Sequence, residues 1–432
     1  MIIPVDILVV IVIGFFLLAM VVGVPVYAAM GISALLGNYF LNGSDGLLEN
    51  AALLSFNSLN SFVLLAVPLY ILAGTLLQQT GLATRLFTFA ALLVSGVRGG
   101  LGVATIVACT IFAAISGSSV ATAATIGLVA IPALRANGYG DGQSGSLIAA
   151  GGTLGILIPP SIPLLIYGVL TDQSVGALFM AGVIPGLFLA ALMAGYCVFR
   201  NPRDKDVAKA DFQKIMKAGS EAWPILFLPV LIFIAIYTGI ATPTEVAALA
   251  VGYTLLVGLI GRRLNFRTVV SSGLQATHAS VMIFLLVAFG ALMTNFLAAT
   301  GVPQKLVAFV AASDLGFFGV VTLMILFYLV LGMFLESLSM MLISVPILYP
   351  LATSLGIHPY AFAIFVVLAV EMAQITPPVG INLFTISKVG NIPFERMIRE
   401  VVPFVLLIIV MMYAACYLPD LSVWLPKTMN YK

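Results

Sequence analysis

Apolar stretches near 20 residues long recur along the whole chain, and each is long enough to span a bilayer. In the first half they fall at about 5–23, 25–42, 52–79, 143–170 and 176–199. The second half gives 222–240, 244–261, 275–299, 361–387 and 402–418. Two of these stretches carry Pro-Pro pairs deep inside them, at Ile158-Pro159-Pro160-Ser161 and Thr376-Pro377-Pro378-Val379. Proline removes a helix hydrogen bond and clashes with the preceding turn, so two in a row break the helix. In hydrocarbon, broken backbone survives only where protein or a hydrated cavity meets it.

The pairs lie 218 residues apart, and the offset recurs. Pro25 matches Pro243, Pro132 matches Pro350, and Gly117-Ser118-Ser119 falls opposite Leu335-Glu336-Ser337. Thr80-Gly81 with Arg85-Leu86 matches Thr300-Gly301 with Lys305-Leu306 at an offset of 220. A repeat of half the chain, with matched broken helices, is the pattern of secondary transporters. The expected fold is therefore an all-α polytopic membrane protein of two repeats. The first repeat covers 1–199, a linker 200–221, and the second repeat 222–432. Five spans per half, an odd number, invert the second half relative to the first.

Two stretches per half are left over. Residues 82–98 and 302–315 read as interfacial arms. Residues 100–135 and 317–351 have a small or polar break at mid-length and read as re-entrant hairpins. The positive-inside rule supports this layout. With the N-terminus outside, all of the 18 basic residues except Lys305, Lys427 and Lys432 fall in cytoplasmic segments. A hairpin that crossed fully would invert the pattern downstream. Both termini are then expected outside.

Composition agrees: the chain has 432 residues, is 62% hydrophobic and only 8% charged, and has a formal net charge of +2. Nothing in that balance implies nucleic acid. Cys109, Cys197 and Cys416 are scattered in apolar context, His278 and His358 stand alone, and no HExxH, nucleophile elbow or phosphate-binding glycine loop is present. An intramembrane enzyme would need a nucleophile and base, or metal ligands, at membrane depth; the chain is read as not an enzyme.

The residues that carry chemistry cluster at the breaks. The first hairpin turns at Ser116-Gly117-Ser118-Ser119, whose second arm begins with free amides that suit an anion. The first Pro-Pro pair strips donors from the carbonyls near Gly155 and Ile156. Such carbonyls at the end of a half-helix suit a small hard cation. Calcium or magnesium would want carboxylates, and none is near in sequence, which favours sodium. One cage is expected from Ser116, Ser119, Gly155, Ile158 and Pro160, and a counterpart from Gly332, Ala373, Thr376 and Val379. Ser118, Ser161, Ser339, Gln374 and Asn382 are the expected solute contacts. Glu336 and Glu371 are the acidic residues nearest the membrane interior. Glu336 either carries charge in the cycle or caps the second hairpin arm; Glu371 is either functional or a wetted structural acid. The bland reading of every break is a capped bend or a packing kink. Thr242-Pro243-Thr244-Glu245 reads as a structural helix start.

Taken together, Ile115-Ser116-Gly117-Ser118-Ser119-Val120-Ala121, Ile158-Pro159-Pro160-Ser161-Ile162-Pro163 with Tyr167-Gly168, Leu178-Phe179-Met180-Ala181-Gly182, Thr242-Pro243-Thr244-Glu245 and Ile375-Thr376-Pro377-Pro378-Val379-Gly380 resemble the large membrane subunit of tripartite ATP-independent periplasmic (TRAP) transporters. The resemblance spans nearly the whole chain. It implies uptake of an organic acid (a dicarboxylate, sialic acid, or another sugar or keto acid) with co-transported sodium ions across a bacterial inner membrane by an elevator-like motion. It also implies two partners, a periplasmic solute-binding protein and a smaller four-helix membrane subunit, which is expected to be a separate chain. The alternative is a stand-alone sodium- or proton-coupled divalent-anion symporter of related inverted architecture.

Overall fold

The computed structural model describes residues 4–200, 211–313 and 315–429, and among these every regular element is helical. The first half runs α1 (Val5–Val21), α2 (Val26–Asn42), α3 (Leu47–Leu59), α4 (Ala66–Gln79), α5 (Leu82–Leu93), α6 (Gly100–Ser116), α7 (Ser119–Ala136), α8 (Asp141–Thr153), α9 (Ile162–Thr171) and α10 (Val175–Arg200). The second runs α11 (Phe212–Tyr237), α12 (Pro243–Ile260), α13 (Phe266–Ala299), α14 (Val302–Ala312), α15 (Phe317–Leu331), α16 (Ser337–Ser354), α17 (Pro359–Gln374), α18 (Ile381–Gly390), α19 (Phe394–Tyr417) and α20 (Asp420–Lys427). Among the described residues eight helical stretches are long and apolar enough to cross a membrane, one of them α4 together with the 3-10 turn before it, Phe62–Gln79.

The 218-residue offset survives in the backbone. Helices α7 and α16 start and end that far apart, and both Pro-Pro peptides are cis. The broken helices end alike, with left-handed Asp172 after α9 and Asn391 after α18. Helix α12 starts at the expected capping box: Thr242 accepts from the Glu245 amide, and the Glu245 carboxylate accepts from the Thr242 amide at 2.7 Å.

Packing sorts the helices into two groups. Helices α1, α2, α4, α11, α12 and α13 lie against one another. Helices α6 to α10 pack with α17 to α20. Each arm is tied to the first helix of the other half: Arg85 of α5 lies 3.7 Å from Glu221 of α11, and Lys305 of α14 pairs with Asp6 of α1. Within the second group Asp141 holds both Arg135, at 2.7 Å, and Arg396, at 3.3 Å, joining the halves.

Several boundaries differ from the sequence reading. The stretch 52–79 is not one helix. It divides at Asn60-Ser61 and a 3-10 turn, because Asn60 and Ser61 leave helical geometry, and α3 buries none of its residues. The arms end early, at Leu93 and Ala312. Helices α11 and α13 begin well before 222 and 275, so the polar residues at 212–221 are helical, not linker. The linker residues 201–210 lie outside the described residues. Helix α20, packed on α10, was masked by its charged ends and two prolines. The hairpins also differ. Helices α6 and α7 pack closely, whereas α16 leans away from α15 onto α9, α13, α14 and α17. A hydroxyl pair, Tyr328 with Ser344 at 2.7 Å, still joins α15 to α16.

Candidate functional site

The first tip is set by three residues. Gly117 takes a left-handed φ of 59° and ends α6, which few side chains tolerate. Ser118 caps α7, its hydroxyl accepting from the Ala121 amide at 3.3 Å. The Ser116 hydroxyl meets that of Thr122 at 2.8 Å and donates to the Ser118 carbonyl at 3.3 Å.

This tip sits directly on the first helix break. A Cβ on Gly155 would come within 2.7 Å of the Ser118 carbonyl oxygen and 2.9 Å of Ser119 Cα. One on Gly117 would lie 2.8 Å from the Pro160 carbonyl oxygen. Backbone therefore meets backbone. The Gly155 carbonyl is stripped as expected: Ile158 N donates instead to Leu154, at 3.1 Å, and Pro159 has no N–H. The Ile156 carbonyl has prolines at both +3 and +4, and it is recaptured by the Ser161 hydroxyl. Ser161 also caps α9, accepting from Leu164 N at 3.2 Å. Ser161 is thus spent on closing the break. Ile158 turns its side chain onto α10 at Gly186.

At the second tip Glu336 is the cap. Its carboxylate accepts from the amides of Leu338, at 3.1 Å, and Ser339, at 2.9 Å, and from the Ser339 hydroxyl at 2.8 Å. Gly332 packs on the second broken helix so closely that a Cβ would fall 2.2 Å from that of Ala373. The Thr376 hydroxyl donates to Met372 O at 2.6 Å, and its amide donates to Ala373 O at 3.3 Å, so Ala373 is less bare than expected. The stripped carbonyl is that of Gln374, whose +3 and +4 neighbours are Pro377 and Pro378. Val379, which corresponds to Ser161, brings no hydroxyl. Asn382 is buried in α18, with its amide nitrogen 3.4 Å from Ala149 O and its Oδ1 without a partner.

The two tips meet at one cleft of about 250 Å³. Residues Ser116 to Ala121 form one side and Glu336 to Leu338 another, and α4 and α13 close it with Ile71, Gly74, Thr75, Gln78, Ala279 and Ile283. Among these described lining residues there is no Lys or Arg and one carboxylate, that of Glu336, which leaves the start of α7 as the part of the cleft that favours an anion. Ser118 lines the cleft, whereas Ser161, Ser339, Gln374 and Asn382, expected as solute contacts, do not. The sequence reading missed Thr75 and Gln78. Gln78 Nε2 donates to Thr125 Oγ1 at 2.6 Å, linking α4 to α7. Their signal was faint: two polar residues at i, i+3 on an otherwise apolar helix.

Residues 13–421 match the family model described as tripartite ATP-independent periplasmic transporter, DctM component. The chain is 35% identical to the C4-dicarboxylate TRAP transporter large permease protein DctM of Vibrio cholerae, covering 94% of this chain and 95% of that one. It is 34% identical to the sialic acid TRAP transporter large permease protein SiaM of the same organism, over 94% and 95% of the two chains. Among solved structures, MtrF of Neisseria gonorrhoeae shares the fold with a TM-score of 0.63 at 14% identity, covering 98% of this chain and 95% of that one.

Proposed function

The chain belongs to the DctM-component family of tripartite ATP-independent periplasmic transporters, and on that premise we propose that it is the permease subunit of a sodium-coupled importer of a small organic acid. The observation that carries the proposal is the cleft where both hairpin tips, each seated on a broken helix, face a wall of α4 and α13. An anion at the α7 start and cations at stripped carbonyls favour one another's binding, which couples solute to ion. The first cation site uses Ser116, Ser119, Gly155, Ile158 and Pro160. The second uses Gly332, Ala373, Thr376 and Val379, with the Gln374 carbonyl the strongest free acceptor. Relatives are named for C4-dicarboxylates and for sialic acid, so carboxylates of that size are the class proposed.

In this reading the two halves have opposite membrane topology, both termini face the periplasm, and the tips with their broken helices ride past α4, α12 and α13 as one body. A periplasmic binding protein delivers the solute, and a small membrane subunit completes the transporter. The test is reconstitution with both partners in proteoliposomes, followed by uptake of a panel of organic acids. Uptake is expected only with an inward sodium gradient and binding protein present. Equal uptake with choline in place of sodium would remove ion coupling. Full uptake without the binding protein would make the chain a stand-alone symporter.

A further inference from the structure

We infer that His358 is a pH switch at the start of the second broken helix: its neutral imidazole caps α17 beside a seam between the two halves, and the protonated ring cannot. The inference goes beyond the transport reading above and concerns its regulation. Helix α17 starts at Pro359, with His358 at its N-cap. His358 Nδ1 accepts from the Tyr360 amide at 3.1 Å, and the His358 carbonyl accepts from Phe362 N at 2.9 Å. The usual capping side chains, Ser, Thr, Asp and Asn, keep their acceptor at neutral and mildly acid pH. A neutral imidazole has one acceptor nitrogen, and the imidazolium has none. Protonation therefore strips the Tyr360 amide of its partner and sets a positive charge at the positive end of the helix.

The surroundings also oppose the proton. Burial pushes the His358 imidazole below its ordinary value, and the Lys427 ammonium of α20 adds to the push. Asp420 offsets that ammonium from 3.7 Å. Helices α9, α15 and α16 carry no charged residue; near the α17 start they bring the neutral hydroxyls of Tyr167 and Tyr349. The charges of α18 and α19, from Lys388 to Glu400, lie beyond the second break, and Asp141 of α8 and Arg200 of α10 pair with them. On α17 itself, Tyr360 lies against the ring at 5.1 Å between centroids, and Glu371 is buried about three turns further along. The seam is immediate: the Pro359 carbonyl accepts from the Tyr167 hydroxyl of α9, in the first broken helix, at 2.9 Å. Fraying the α17 start therefore loosens one broken helix from the other. The first half has no counterpart, since at the 218-residue offset His358 falls on Gly140, which caps α8 without a side chain. Above about pH 6.5 a histidine is neutral whether folded or unfolded; below it the unfolded chain takes the proton first, so stability falls as pH drops. In the topology proposed above α17 starts on the periplasmic side, so periplasmic acid works the switch.

The test follows amide hydrogen exchange along α17 in the full-length chain in lipid nanodiscs, corrected for the chemical rate at each pH. From about pH 7.5 to the pH at which His358 is protonated, protection at Tyr360 and Phe362 is expected to fall about fivefold, the scale of one lost cap. His358→Asn supplies an acceptor that does not titrate and is expected to hold its protection over the same range. The chain has two histidines, so a His278→Gln background isolates the His358 signal, whose NMR titration midpoint is expected below about 6.5. In proteoliposomes, acidifying the binding-protein side is expected to slow the parent about fivefold more than His358→Asn. A midpoint at or above about 6.5, or the same acid loss of protection or uptake in both proteins, would overturn the inference. If His358→Asn does not fold, the parent alone decides: protection that stays constant while His358 titrates contradicts the switch.

Discussion

The two broken helices share a Pro-Pro pair, a cis peptide and an offset, yet they treat their freed carbonyls differently. At the first break every residue from Gly151 to Gly168 is buried, and Ser161 returns a hydroxyl to Ile156. At the second break Pro378 is exposed, Thr376, Pro377 and Val379 are half-buried, and nothing replaces the donors that Gln374 lost. Burial without compensation is expensive: the enclosed break recaptures one freed carbonyl, that of Ile156, and leaves Gly155 open, while the wetter one leaves the Gln374 carbonyl open. The hairpins follow suit: the first is tightly paired and the second splayed. The first tip is the more closely held seat and the second the looser one.

The largest expected effect separates the seats by what stands in the way. Gly155→Val drives a side chain into the Ser118 carbonyl, which is backbone and has nowhere to go. Uptake in vesicles should fall by about a hundredfold or more, since a displacement near 1 Å at a working site has that scale. Gly332→Ala collides chiefly with the Ala373 methyl, its backbone contacts being looser at 3.2 Å, so Ala373→Gly should restore most of the activity; failure of that rescue would mean the second tip is as rigid as the first.

Exchanging the residues that close or leave open the breaks comes next. Ser161→Val leaves Ile156 O bare and uncaps α9, and should destabilise the protein by about 1–3 kcal/mol in a reversible denaturation measurement. Val379→Ser offers Gln374 O a hydroxyl. It should leave stability nearly unchanged and raise the sodium needed for uptake. A loss of stability from both, or from neither, would erase the asymmetry.

A smaller effect is expected at the cleft wall. Gln78→Ala removes the Nε2 donor that bonds Thr125 Oγ1 at 2.6 Å and Ala121 O at 3.4 Å, linking α4 to α7, a loss of about 1 kcal/mol. It should shift the balance of carrier positions about fivefold, as read by spin-label distances from α4 to α7. Smallest of all, Arg85→Ala and Lys305→Ala break half-exposed ion pairs of about 0–1 kcal/mol and should leave stability within error.

Much of this was legible because prolines and caps write themselves into sequence. Pro159-Pro160 and Pro377-Pro378 gave the breaks, Gly117-Ser118 the tip, and Thr242-Pro243-Thr244-Glu245 the start of α12. Helix lengths were less legible: α11 and α13 continue into polar sequence, where hydropathy stops reporting but backbone hydrogen bonds do not. The fate of individual hydroxyls was not legible at all. Ser118 lines the cleft and Ser161 closes a break, although both are serines at a helix start. Only the distance to a neighbouring carbonyl separates the two roles. Gln78 was hidden for the same reason, since its partner Thr125 lies 47 residues on.

The central claim is that the tips move as a body past α4. Gln78 and Thr125 touch across that boundary, and the native cysteines Cys109, Cys197 and Cys416 are buried. Cysteines at 78 and 125 should therefore cross-link selectively. In proteoliposomes holding the complete transporter, cross-linking is expected to abolish sodium-driven uptake, and reduction to restore it. Uptake that persists with the cross-link fully formed would contradict a moving carrier and leave local gating at the tips in its place.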